Sequence, residues 1–172
     1  MEQILTAIIE RLEANKEALG LSYVDEEYGQ VDFLDDETRD TYAPTFPAVL
    51  VDGSGEEWTQ DGRAMQQGVA TVNVNVYIDC YDDTHACSET IGKVAERMAL
   101  VRSVTELLQG WEPLSTSGRL IRQRAQASTG NHGIKLYQVT FTIPVYESFS
   151  DPADATATVR LMDVRASILT ND

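Results

Sequence analysis

The sequence predicts an α+β fold: a mostly antiparallel sheet with two main helices packed on one face. Three observations carry that expectation. Residues 69–81 alternate strictly between apolar and polar, the period of a half-buried antiparallel strand. Residues 2–19 and 82–109 repeat apolar side chains at three- and four-residue steps, the spacing of a helix with one buried stripe. Between two further strand-like runs stands Ser128-Thr129-Gly130-Asn131-His132-Gly133, a hairpin tip. The chain has 172 residues, and at about 150 residues per domain a single domain spanning 1–172 is expected. A chain of this size buries enough surface to fold without a disulfide or a metal.

The elements follow in chain order. Ile4, Leu5, Ile8, Leu12 and Leu19 line one side of a helix over 2–19, and Gly20 stands where a left-handed residue would end it, with Leu21 making the apolar contact. Residues 25–44 hold eight acids and one base, Arg39, so an exposed acidic segment with one short strand around Val31–Leu34 is expected. Phe46 to Val51 reads as a buried strand between turn signals, and residues 53–68 as a loop or flap. On the 69–81 strand, Ala70, Val72, Val74, Val76, Ile78 and Cys80 form the apolar face. Thr71, Asn73, Asn75, Tyr77, Asp79 and Tyr81 form a polar face that solvent or another subunit could meet. Asp82, Asp83 and Thr84 suit a helix start, and the helix runs to about Gln109 with Lys93, Arg97 and Arg102 mostly off its stripe. Arg119–Gln126 and Ile134–Glu147 are the hairpin strands, and Pro144, lacking an N–H, predicts an edge or a bulge in the second. Residues 150–172 read as one more strand or a tail.

Charge and composition exclude several classes. Against 28 Asp and Glu stand 13 Lys and Arg, a net charge of −15 and a pI near 4.4. That balance opposes binding to nucleic acid, because like charges raise the association barrier. The longest apolar runs are four residues, Ala48–Val51 and Met98–Val101, against about 18 for a membrane span. The first residues carry acid where a secretory leader carries base, and two cysteines suit a reducing compartment. A soluble, intracellular, acidic domain is expected, with no membrane partner and no sequence-specific nucleic acid.

One cluster resembles chemistry. Cys80, His85 and Cys87, joined by His132, would make a two-Cys, two-His zinc set, but the Cys-x4-His-x-Cys spacing is not that of a zinc knuckle. The alternative explains each member: Cys80 completes an apolar strand face, the acids cap a helix, and His85 and Cys87 lie in its first turn. A Cys87–His132 nucleophile pair lacks any orienting third group. Neither a phosphate-binding glycine loop nor a calcium loop is present in the sequence. The prediction is therefore no enzyme, no catalytic or metal residue and no cofactor. Charge is also uneven. Residues 92–135 carry seven bases against three acids, and the first 52 residues thirteen acids against three bases. Besides scattered surface charge, this fits a dipolar subunit whose basic face meets an acidic face of the next copy, a contact that closes into a ring. The candidate interface residues are Asn73, Asn75 and Tyr77 on the alternating strand and Arg119, Arg122 and Arg124 on the first hairpin strand.

The order of pieces resembles a known family over about residues 2–148. An N-terminal helix precedes Pro-Ala-Val-Leu-Val, then Val-Ala-Thr-Val-Asn-Val-Asn-Val-Tyr-Ile-Asp-Cys-Tyr-Asp-Asp. A helix ending Leu-Leu-Gln-Gly follows, then an Arg-bearing strand and Tyr-Gln-Val-Thr-Phe-Thr-Ile-Pro-Val-Tyr-Glu. This organisation resembles the tail terminator (tail completion, minor tail) proteins of tailed bacteriophages and prophages. The resemblance implies a ring-forming α+β subunit, typically a hexamer. Such a ring caps the tail tube, stops its growth and meets the head connector. The implied partners are further copies, tail tube protein and head–tail connector proteins. The implied location is the tail or neck of the virion, after synthesis in the host bacterial cytoplasm. The acidic 25–40 segment and the residues after Ser150 depart from that pattern. A neck or head-completion protein, or a non-enzymatic binding module of another system, are the alternatives.

Overall fold

The computed structural model describes residues 1–32, 34, 43–60, 65–130 and 133–148. In chain order the elements are helix α1 (Glu2–Ala14), the single turn α2 (Lys16–Leu19), strands β1 (Tyr23–Glu26), β2 (Ala48–Gln60) and β3 (Met65–Asp79), helix α3 (Lys93–Leu108), and strands β4 (Ile121–Thr129) and β5 (Ile134–Ser148). The five strands form one sheet in the order β1-β2-β3-β5-β4. Its pairings are antiparallel except β1 with β2, which is parallel, so the sheet is mixed.

The alternation of β3 decides where the core lies. Ala70, Val72, Val74 and Val76 are fully buried, as are Phe141 and Ile143 on β5, and they meet Ile4, Leu5, Ile8 and Leu12 of α1 in one apolar cluster. Pairs such as Val72–Phe141 and Val74–Val139 stand opposite each other across the ladder and set its register. Truncating the fully buried Phe141 to Ala would cost about 3–5 kcal/mol. The α1–α2 unit ends as its sequence requires. Gly20 takes φ 70°, its N–H reaches Glu17 O at 3.1 Å, and the Leu21 N–H reaches Lys16 O at 3.0 Å.

Several expectations are corrected. The short strand in the acidic segment is Tyr23–Glu26, and Val31, Asp32 and Leu34 lie in turns. Those turns cover the second sheet face, where Val31 and Leu34 pack on a small apolar cluster of Ala48, Leu50, Tyr77 and Ile134. The described part of 53–68 is ladder rather than loop: β2 and β3 stay paired out to Gln60–Gln66, with a bulge between Gly53 and Gly55. Helix α3 starts at Lys93, because residues 80–92 turn back on themselves instead. The Ser88 hydroxyl donates to Asp83 O at 2.5 Å, and the Thr90 hydroxyl donates to the same oxygen. Pro144 lies on an inner strand, not an edge. Its carbonyl accepts the Gly118 N–H at 2.7 Å just beyond the start of β4, so the side that lacks an N–H faces a turn.

The pair of helices expected on one face is present only in part. While α1 packs against β1 and β2, α3 buries five of its sixteen residues, Arg97, Val101, Val104, Thr105 and Leu108. Arg97, expected off the stripe, is 6% exposed. Val94 and Met98, expected on it, face solvent. Among the described residues no helix is long and apolar enough to cross a membrane. Residues 149–172, which include the expected C-terminal strand or tail, lie outside the described residues.

Candidate assembly surfaces

The polar face of β3 is closed at one end and cross-linked along its middle. Asn75 and Tyr77 are 4% and 7% exposed. Both donate to the Glu27 carboxylate: the Tyr77 hydroxyl to Oε1 at 2.5 Å and the Asn75 amide to Oε2. Glu27 is held above them because its own N–H bonds Val51 O at 2.9 Å. Gln30, 1% exposed, ties down the same turn by donating to Glu26 O at 2.8 Å and accepting the Tyr28 N–H at 2.9 Å. The open polar surface expected at Asn75 and Tyr77 is thus covered within the chain. Burial, and next the bond to Glu27, push the Tyr77 hydroxyl pKa well above its ordinary value. The bond to Asp25 raises that of Tyr23 in the same sense. Asn73 is half-buried and bridges three strands, donating to Ser54 Oγ at 2.5 Å and accepting the Thr140 hydroxyl at 2.9 Å.

The arginines stand elsewhere. Every residue of β4 is exposed, and Arg119 just before it is exposed too. A bulge between Arg122 and Arg124 places Arg122 opposite Phe141 on the helix side and Arg124 opposite Thr140 on the other. The strand is anchored through its backbone and glutamines: the Arg122 N–H donates to Gln109 Oε1 at 2.9 Å, and Gln123 donates to Thr142 Oγ1 at 2.9 Å. Because α3 does not reach over β4, a groove of about 560 Å³ remains between them, lined by Met98, Val101, Thr105, Arg122, Ala125 and Val139 together with the Arg102–Glu106 ion pair. Met98 adds exposed apolar surface there.

The Cys–His cluster does not converge. His85 lies on the surface with Nε2 3.3 Å from Asp83 Oδ2 and Nδ1 accepting the Cys87 N–H at 3.0 Å. Cys80 points its thiol back to Ile78 O. Among the described residues no three His, Cys, Asp or Glu side chains come together in a way that could hold a metal. His132 lies outside the described residues.

No family model matches the chain, and no curated protein matches it in sequence. Solved structures do match. The fold is similar to that of a chain in the virion of a native gene transfer agent particle. The superposition has a TM-score of 0.53 at 16% identity and covers 83% of this chain and 94% of that one. At that identity the likeness is one of fold, and nearly the whole of the other chain takes part in it.

The sequence located the arginine strand, but not the groove beside it or the Glu27 clasp. The groove leaves a trace, because α3 carries more apolar positions than one buried stripe can use. Glu27 leaves none: one acid among eight does not announce which is turned inward.

Proposed function

We propose that this chain is a non-enzymatic structural subunit of a phage-like virion, and that it serves as a tail terminator. One observation carries the proposal: the fold is similar, over 83% of this chain and 94% of the other, to a chain of a gene transfer agent virion. The order of sequence elements supports the finer role, and an exposed strand beside an apolar groove supports a protein that works through contacts. In this role several copies form a ring, typically six, that closes the growing end of the tail tube and offers a surface to the head connector.

The test is to add the purified chain to its own tail tube protein during polymerisation and to follow tube growth by light scattering. Growth stops at substoichiometric amounts if the chain caps the tube. Unchanged growth, with the chain bound to head-connector rings instead, moves the assignment to a neck protein. Binding to neither removes the proposal.

A further inference from the structure

The two edges of the sheet carry opposite charge. At one edge, residues 113–130 around β4 contain Arg119, Arg122 and Arg124 and no acid. At the other edge, β1 and the turn after it bring Asp25, Glu26 and Asp32, with Glu26 and Asp32 exposed. Both strands end the sheet among the described residues, where β4 pairs only with β5 and β1 only with β2. An exposed strand edge presents unpaired N–H and C=O groups and is a template for another strand. Apolar surface accompanies each edge, with the α3–β4 groove at one and Tyr28, 55% exposed, at the other.

We infer that β4 and the α3–β4 groove of one copy receive the acidic β1 edge of a second copy of this chain. The inference rests on the proposed function only in taking the chain to be self-assembling; it does not depend on a place in the virion. The occupant is chosen by charge complementarity, since exposed Arg119, Arg122 and Arg124, in a stretch without an acid, match exposed Glu26 and Asp32. The contact is head-to-tail: the two surfaces differ, both remain available on every copy, and repetition gives a ring when the rotation closes. Four residues of β1 pair along the nine of β4, so the sheet runs on from copy to copy. Exposed charges at the seam make assembly sensitive to salt, because screening shortens to about 10 Å at 0.1 M.

A charge-swap experiment on the full chain tests this, with sedimentation velocity as the readout and circular dichroism to confirm folding. One variant carries Arg122→Glu and Arg124→Glu, the other Glu26→Lys and Asp32→Lys, all at exposed positions. The wild type is expected to assemble at low salt. Each variant alone should associate at least tenfold more weakly. An equal mixture of the two should assemble again, because each reversed edge now meets its complement, with both variants in equal number in each particle. Folded variants that assemble like the wild type overturn the inference, and so does a mixture that stays unassembled. A wild type that remains single at every concentration overturns it too, as does protection from hydrogen exchange in single copies of those β4 N–H groups that face away from β5, the mark of an edge already taken within the chain. All of these outcomes leave capping of the tail tube separately measurable.

Discussion

Glu27 holds two donors that burial would otherwise orphan. Removing an acceptor from a buried donor costs about 1–3 kcal/mol, and Glu27 serves both Asn75 and Tyr77. Glu27→Ala is therefore expected to lower the unfolding free energy by about that amount, measured by urea denaturation, with Glu27→Gln losing less because one amide oxygen still accepts. The Tyr77 hydroxyl adds a pH signature. Its pKa lies above the ordinary value of 10 in the fold, chiefly through burial. Below pH 10 its contribution to stability is fully present. Above it, the unfolded chain loses the proton that the folded chain keeps, so stability falls. Tyr77→Phe should flatten that alkaline decline, and a wild-type slope unchanged by the substitution would contradict the assignment. At this scale the sequence was legible for Gly20, where backbone geometry demands glycine, and illegible for Arg97. A basic side chain at a helix position gives no sign that its neighbours will bury it.

The β2–β3 ribbon shows why one half of a strand can be read and the other cannot. Over 69–78 the apolar residues alternate because one face is core. Over 56–60 and 65–68 polar residues occupy both faces, so the period vanishes although the ladder continues. Close approach is the remaining clue. A Cβ on Gly68 would stand 2.7 Å from Glu57 O and 2.8 Å from the Trp58 ring. Gly68→Ala should destabilise by about 1–3 kcal/mol, with hydrogen exchange accelerated in residues 56–60 and 65–70. Helix α3 starts later than the sequence suggests for a related reason: Asp83 has capping chemistry, and here its carboxylate accepts the His85 N–H at 3.2 Å within a turn rather than at a helix end. Its exposed Val94 and Met98 give the opposite kind of test. Replacing both with Ser should change stability by no more than about 0.5 kcal/mol, yet weaken self-association seen by sedimentation.

At the scale of the molecule, the order of helices and strands was legible from periodicity and turn residues. The use of the sheet's two edges was not, because sequence spacing does not say which strands end a sheet. The mixed sheet places basic β4 and acidic β1 as far apart as five strands allow. A ring of six such copies would carry about 90 net negative charges, a wall that repels DNA rather than holding it. Duplex DNA is accordingly expected not to bind the assembled protein even at low salt, and tight binding in a filter assay would contradict a conduit lined by this chain. The most direct test is electron cryomicroscopy of intact particles whose copy of this chain carries an epitope tag, compared with particles in which it is deleted. A ring of tagged density at the head-proximal end of the tail, lost on deletion together with control of tail length, is the predicted result. Particles complete, of normal tail length and free of the tag would contradict it.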